Sequence, residues 1–479
     1  MKYFILTLGC QMNISDSERL ATVLEGMGYV RTEHEEEADL LGVIACSVRQ
    51  KAIDKVYMKI HKWNRMKERR PVVTFLTGCV LPADRKKFLK LFDLVFTTNE
   101  LPDLPEMLSQ YGIVTPYTLR EKTGRKAVAA GRQGDFPSLT AIAGEKGTEE
   151  ERSVLDRLWE IEPTFHSPFE AFVPIQNGCD KFCTYCAVPF TRGREVSRPS
   201  AEVLAEVDTL LERGYKSITL LGQNVNSYGL DRQGGEIPFA RLLEEIGRRG
   251  EAAGRRVWVY FTSPHPRDMG HDVVDVIARY DTLAKQIHLP LQSGDDEVLR
   301  RMNRRHTVDD YRRIIDYIRR RLPAATLFTD IITGFPGESE EQFMNTLRAL
   351  QEMAFNMAYI AIYSPRPGTV SARWDDDVPI KVKKERLHRL TQVLEESALA
   401  ATRAMKDTTT TILVTGRDRK AGYLAGHTEG RIPVRFAAPG GDTPLTGRFV
   451  QVRITSVTPF SMEGELVNVE EEIWQENTK

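Results

Sequence analysis

The stretch Cys179-Asp180-Lys181-Phe182-Cys183-Thr184-Tyr185-Cys186 places three thiols within eight residues in a CxxxCxxC pattern. Three thiolates so close together can wrap one corner of an iron–sulfur cubane, a cluster normally held by four cysteine thiolates. No fourth cysteine lies nearby, which leaves one iron open to an outside ligand. The competing chemistry is a structural zinc site. Zinc wants four closed nitrogen or sulfur donors, often in paired CxxC knuckles. There is no second knuckle, and the nearest downstream histidine, His265, is remote in sequence.

Cys10, Cys46 and Cys79 form a second trio with wide spacing. Taken singly, each reads as a buried, inert core cysteine. Their positions argue otherwise. Gly9-Cys10, Ala45-Cys46 and Gly78-Cys79 each fall where an apolar run ends. A small preceding residue lets the backbone approach a bulky cluster closely. Spacing alone leaves both readings open.

The elements that must position these thiols follow from hydrophobic patterning. Lys2–Leu8, Asp39–Ala45, Pro71–Thr77 and Phe92–Thr97 read as strands. Asn13 to Ser17 supply capping residues before a helix over Glu18–Met27, and a basic helical stretch runs from Arg49 to Arg69. The alternation predicts a small open parallel α/β domain over residues 1–111. Its cysteines follow strand ends, the edge where ligands gather in such sheets. Residues 112–168 are rich in Gly, Arg, Lys and Glu and read as a linker or insertion.

From Ala171 the strand–helix alternation resumes. Ala171–Ile175, Ser217–Leu221, Val257–Phe261, Gln286–Leu291, Thr326–Thr333 and Met357–Tyr363 predict a partial or complete β/α barrel within 169–400. A long charged helix over Ile380–Lys406 leads out. Thr411–Val414, Ile432–Phe436, Phe449–Val457 and Gly464–Val469 then predict a small β-barrel over 405–470.

Composition excludes little. Apolar residues make up 41% of 479 and the net charge is −1, so a polyanion partner must be met by local patches. Six cysteines are too few to scaffold a chain this long, which fits a reduced cytoplasmic setting. No apolar run approaches the ~20 residues of a membrane span. Met1–Cys10 loosely matches a lipoprotein signal ending in Gly-Cys, but its apolar run is short and leads straight into a helical stretch, so it reads as a first strand.

On these residues the chain resembles the radical S-adenosylmethionine (SAM) methylthiotransferase family. Cys179–Cys186, with Tyr185 before the last cysteine, is similar to the radical SAM cluster motif. The trio Cys10/Cys46/Cys79 resembles the family's N-terminal domain, and residues 405–470 resemble the RNA-binding TRAM domain. Gly9 to Asn13, Ser15 to Glu18, Thr191 to Pro199, Phe261 to Pro266, His288 to Gly294 and Tyr363 to Thr369 resemble, in order and spacing, the branch acting on N6-dimethylallyladenosine. One departure concerns the second cysteine. The family usually has Asn-Thr before it, whereas Ile44-Ala45 precede Cys46 here.

The resemblance implies two 4Fe–4S clusters, SAM, and methylthiolation of C2 of the adenine at position 37, beside the tRNA anticodon. The cluster at Cys179, Cys183 and Cys186 would take SAM and be catalytic. The cluster at Cys10, Cys46 and Cys79 would hold the sulfur to be inserted. That C–H is unactivated, so a cofactor must start the chemistry. Further SAM contacts are expected at strand ends, from Gly222, Gln223 and Asn224 and from Gln292 and Ser293, although capping groups at strand ends would look the same. RNA contacts are expected from Arg192, Arg194 and Arg198, and from Arg417, Arg419, Lys420, Arg431 and Arg435, with Phe436 and Phe449. The run Arg300, Arg301, Arg304 and Arg305 is either another RNA contact or a solvated helix face. A reductant such as flavodoxin or ferredoxin is implied, the sulfur donor is open, and a monomer is expected. The alternatives are a sibling acting on threonylcarbamoyl-adenosine in tRNA or on a ribosomal-protein aspartate, and a non-catalytic metal-containing RNA-binding protein.

Overall fold

Parallel strands whose apolar runs stop at a thiol set the layout of the N-terminal domain. The computed structural model describes residues 1–47, 50–110, 149–232, 235–437 and 445–470. β1 (Lys2–Thr7), β2 (Val30–Arg31), β3 (Leu40–Cys46), β4 (Val73–Cys79) and β5 (Leu94–Val95) form one parallel sheet in the order β2-β1-β3-β4-β5. β3 is buried throughout and β4 from Thr74 on, as a sheet covered on both faces requires. α1 (Gln11–Gly26), α2 (Gln50–Lys67) and α3 (Pro82–Phe88) follow β1, β3 and β4.

α1 begins seven residues before the expected start. Cys10 is its N-cap residue, and the Cys10 amide donates to Asn13 Oδ1 at 3.3 Å. Asn13 thus caps α1 as expected, whereas Ser15, Asp16, Ser17, Glu18 and Arg19 are buried polar residues within the helix rather than a cap. That part of the helix packs on the edge strand of the barrel. Ser15 Oγ donates to Phe172 O at 3.5 Å, Arg19 approaches Glu206 at 3.9 Å, and the His166 amide donates to Glu18 Oε1 at 3.0 Å. The expected linker is partly a core element. A helix over Glu149–Trp159 packs Leu155, Leu158 and Trp159 against Leu101 and Leu104 of the N-terminal domain. Residues 111–148 of that segment lie outside the described residues.

The central domain is an open β/α barrel. β6 (Glu170–Pro174), β9 (Ser217–Leu221) and β10 (Trp258–Phe261) are parallel neighbours, as are β11 (Gln286–His288), β12 (Thr326–Thr333) and β13 (Met357–Ile362). A bridge from Val259 to Leu283 joins the two groups. A short hairpin, β7 (Gln176–Asn177) with β8 (Val196–Ser197), extends beyond β6. A helix over Ile380–Arg403 leads to a closed barrel, β14-β15-β16-β18-β17, of β14 (Thr409–Arg417), β15 (Tyr423–Thr428), β16 (Pro433–Ala437), β17 (Phe449–Val457) and β18 (Met462–Val469). Patterning missed β15, which carries Gly426 where a Cβ would come within 2.4 Å of Leu413 O.

The small barrel closes the N-terminal end of the large one. Tyr260 Oη donates to Glu429 O at 3.0 Å, Thr326 Oγ1 donates to Gly430 O at 2.8 Å, and Phe449 packs on Trp258 with ring centroids 4.7 Å apart. The chemistry-bearing loops are thereby confined to the opposite, C-terminal end, where β/α barrels place their sites.

The buried α1 face has a pH signature. Burial raises the Glu18 carboxyl to about 7. The folded chain therefore keeps a proton that the unfolded chain releases near pH 4.5, and stability falls as pH rises from about 4.5 to about 7. Glu18→Gln should flatten the stability profile over that window by an amount on the order of 3 kcal/mol, read by denaturant unfolding at several pH values. An unchanged slope would contradict the assignment.

Candidate functional site

Cys46 and Cys79 end adjacent parallel strands and are direct register partners. Their thiols hydrogen-bond, and that contact together with burial pushes Cys79 up. Cys10, at the N-cap of α1, is pushed up by burial and then by the charge of Cys79. The three side chains thus meet at one sheet edge. Small residues make this possible. A Cβ on Gly9 would come within 2.3 Å of Asn13 Oδ1 and 3.1 Å of Cys46 Cβ, and one on Gly78, at φ +104°, within 2.5 Å of Ala45 O. Ile44 and Ala45, which depart from the family pattern, are fully buried in the sheet's two core layers. Asn13 Nδ2 donates to Ala45 O at 3.4 Å, so the backbone keeps a polar tie that an apolar side chain does not disturb.

The second trio lies on the loop between β7 and a short helix over Val188–Arg192. Burial, followed by the charge of Cys186, raises Cys179; burial and then Cys183 push Cys186 up to about 12. The loop is clamped from below. Thr184 N donates to Met302 O at 3.1 Å, and Asn303 Nδ2 donates to Lys181 O and Phe182 O at 3.2 and 3.0 Å. Phe182 takes a left-handed φ of +48°, a strained conformation that such clamping sustains.

Each trio has one buried arginine aimed at one of its sulfurs. Arg192 Nε donates to Cys79 Sγ at 2.9 Å while its guanidinium pairs with Asp16 and reaches Asn177 Oδ1 at 3.5 Å. Arg304 Nη1 donates to Cys183 Sγ at 3.5 Å, and its Nη2 donates to Pro290 O at 2.8 Å. Positive charge beside a thiol favours the thiolate, the form that binds metal. Among the described residues, no three His, Cys, Asp or Glu side chains converge on a single ion. Thiolates are the donors that an iron–sulfur cubane takes, one to each iron. The donor chemistry of both trios therefore fits an iron–sulfur cluster.

Several buried polar atoms on the loops at the C-terminal end of the barrel have no hydrogen-bond partner among the described residues, including Gln223 Oε1, Asn224 Oδ1, Glu195 Oε2, His265 Nε2 and His306 Nε2. Buried polar atoms are normally paired, so such a group marks a place where a polar ligand is received. Glu195 Oε1 accepts from Ser227 Oγ at 2.6 Å, and burial raises its carboxyl to about 7. Burial and the nearby Arg304 hold His265 far below the usual imidazole range and His306 at about 4.

The structure sorts the expected site residues. Gly222, Gln223 and Asn224 follow directly on β9, and a Cβ on Gly222 would come within 3.0 Å of Gln176 Oε1. Gln292 and Ser293 are buried after β11. The Ser293 hydroxyl meets Thr346 Oγ1 at 3.2 Å, and the Gln292 backbone N–H donates to Asp330 O at 2.8 Å. Arg192 and Arg198 are buried and face carboxylates, with Arg198 paired to Glu202 and Glu206, so both have protein partners in place of the expected phosphates. Arg194 pairs with Asp180 at 3.2 Å and covers the Phe182 ring. Arg431 is held between the barrels, 3.9 Å over Tyr260, with Ser217 and Thr219 in reach. Lys420 and Arg435 share Glu463, while Arg417 and Arg419 are exposed. Phe436 and Phe449 are buried in cores and cannot stack on RNA as expected. Arg301 and Arg304 point inward, which corrects the basic run to a partly buried clamp, and Arg300 pairs with Glu297. Patterning missed Asp16, Glu195, His265 and the direction of Arg304.

Comparison with known proteins agrees with this layout. The family model of the Radical SAM superfamily matches residues 173–350, that of the uncharacterized protein family UPF0004 matches 2–97, and that of the TRAM domain matches 403–467. A protein of Symbiobacterium thermophilum named tRNA-2-methylthio-N(6)-dimethylallyladenosine synthase is 38% identical over 477 residues, covering 97% of this chain and 94% of its own. Proteins of the same name from Alkalilimnicola ehrlichii and Vibrio cholerae are 36% and 38% identical, with 98% of this chain covered in each case and 99% and 94% of their own. Among solved structures, the radical S-adenosylmethionine methyltransferase TsrM from Kitasatospora setae shares the fold, with a TM-score of 0.52, 16% identity, and coverage of 78% of this chain and 75% of its own.

Removing Arg192 tests the bridge. Arg192→Met leaves Asp16 buried without its partner and should cost about 3–5 kcal/mol. Arg192→Met combined with Asp16→Asn should recover part of that loss, as coupled neighbours do. Thermal unfolding of the full chain checks both; independent, additive losses would contradict the pairing.

Proposed function

The chain belongs to the tRNA-2-methylthio-N(6)-dimethylallyladenosine synthase family, and from that membership we propose that it inserts a methylthio group at C2 of N6-dimethylallyladenosine at position 37, beside the anticodon of a tRNA. The observation that carries the reading is the presence, on either side of one domain interface, of two three-thiol groups with no fourth protein thiol at either.

Cys179, Cys183 and Cys186 would hold the 4Fe–4S cluster that takes SAM, and Cys10, Cys46 and Cys79 would hold a second. When bound, these groups supply reductive cleavage of SAM, abstraction of the unactivated hydrogen, and the sulfur to be inserted. The protein's part is positioning and shielding. Gln223, Asn224 and Glu195 present buried acceptors suited to the amino and hydroxyl groups of SAM. Arg304 and Arg192 hold positive charge against one sulfur of each trio. Tyr185, next to Cys186 in the chain, packs edge-on to the buried Phe335. Arg417 and Arg419, exposed on the small barrel, are free to meet RNA phosphates. No helix among the described residues is long and apolar enough to cross a membrane. The proposed setting is cytoplasmic, with the chain acting as a monomer on reduction by a flavodoxin or ferredoxin.

Anaerobically reconstituted protein should carry about eight irons and eight sulfides per chain. With dithionite and SAM it should release 5′-deoxyadenosine, and Cys183→Ala should abolish that release. Cys46→Ala should retain SAM cleavage but yield no methylthio product. Mass spectrometry of tRNA nucleosides from a deletion strain should show the isopentenyl adenosine without its 2-methylthio group. Loss from threonylcarbamoyl-adenosine instead would reassign the substrate.

A further inference from the structure

The reacting base and the small barrel lie at opposite ends of the central domain. Both thiol trios lie at strand C-termini, whereas Glu429, Gly430 and Arg431 dock the small barrel on strand N-termini. The intervening strands are three to eight residues long, roughly 10 to 26 Å. Arg417 and Arg419 are farther still, at the other end of β15 from the docking turn. A nucleotide at the cysteine edge carries a phosphate on each side of its sugar, and the small barrel, docked at the opposite end, is not placed to meet those two charges.

The N-terminal domain presents what is missing. Residues 50–90 hold twelve Lys or Arg and three Asp or Glu, in a chain whose net charge is −1. Some of these cations have partners. Lys59 and Lys62 pair with Glu35, Lys67 with Asp93 and Arg85 with Glu100. Lys51, Lys55 and Arg65 on α2, and Lys86, Lys87 and Lys90 on and just after α3, are exposed and form no ion pair with any described residue. Lys51, Lys55 and Arg65 are four and fourteen residues apart, which places them on one face of a helix with 3.6 residues per turn. The opposite face of α2, with Ile53, Val56, Ile60 and Trp63, is buried. Tyr57 against Phe88, at 4.8 Å, sets α2 and α3 side by side.

A merely solvated helix face normally interleaves charges of both signs. This one has Asp54, which accepts from Gln50 Nε2 at 3.0 Å, and Asp84 and Glu68 nearby. Its direction also matters. α2 starts four residues after Cys46 and α3 three residues after Cys79, so both helices run outward from the thiol edge. Arg366 of the barrel, hydrogen-bonded through Nη1 to Gln50 Oε1 at 3.2 Å, joins the start of this track to the barrel rim.

We propose that the outward faces of α2 and α3 are a second RNA-binding surface, one that takes the phosphodiester backbone flanking the reacting loop of the substrate tRNA. The proposal rests on the reading that the substrate is a tRNA. The surface supplies sequence-independent affinity by displacing counterions, while the small barrel grips the RNA elsewhere.

The test measures tRNA affinity of the full-length holoenzyme by filter binding over a range of salt concentrations. The variants are Lys51→Glu with Lys55→Glu, and Lys86→Glu with Lys87→Glu and Lys90→Glu, with Arg417→Glu/Arg419→Glu as the comparison. Each α2 or α3 variant should weaken binding about tenfold or more and lower the log–log salt slope by about one per cation removed. All changed residues are exposed, so the thermal midpoint should not move. A wild type that binds with a steep salt slope, alongside variants of unchanged affinity and slope, overturns the surface and leaves the substrate reading standing. A wild type without salt-dependent tRNA affinity overturns both.

Discussion

The arrangement depends on one buried contact. Arg192 leaves the end of the short helix after the barrel's cysteine loop, crosses to the N-terminal domain, pairs there with Asp16 and donates to Cys79 Sγ. A buried guanidinium without a carboxylate would be costly, so it must keep its place, and Asp16 with it. Asn177 holds the arginine from behind, donating from Nδ2 to Arg192 O at 2.9 Å. The same side chain therefore ties the helix after the barrel's cysteine loop to the N-terminal domain and sets the electrostatic surroundings of the thiol trio there. The rest of the interface, from Ser15 to Arg19 against β6, reads as the support that such a crossing requires.

A second constraint is the division of labour along the large barrel. Its N-terminal end is filled by the small barrel, whose Arg431 lies over Tyr260 and whose Phe449 packs on Trp258. Its C-terminal end is left to the loops that carry Cys179 to Cys186, Glu195, Gln223 and His265. Stability and chemistry are thus kept apart, and unpartnered polar atoms collect at the end where a ligand can satisfy them.

Much of this was legible in the sequence because the period of apolar residues and the ends of apolar runs are local properties. The six barrel strands and the three cysteine exits in the N-terminal sheet fall where patterning places them. The misses have physical causes. Asn13 does cap α1, but Ser15, Asp16 and Ser17 only look like capping residues, and their burial shows them to belong to the inner part of the helix. β15 is hidden by glycine and polar residues that the close approach to β14 demands. Arg192, Arg198, Arg304 and Arg431 read as RNA contacts because charge is visible in a sequence and direction is not. Arg192, Arg304 and Arg431 are turned inward by partners distant in the chain, Asp16, Cys183 and Glu170, and Arg198 by Glu206 on the helix that follows it.

The central claim is that two thiol trios, joined through Arg192, each hold one cluster. Anomalous diffraction at the iron edge from crystals of the anaerobically reconstituted protein tests it most directly. The account predicts two separate iron densities, one among Cys10, Cys46 and Cys79 and one among Cys179, Cys183 and Cys186, each with three protein ligands. A single iron density, or a fourth protein side chain bound at the barrel cluster, would contradict it.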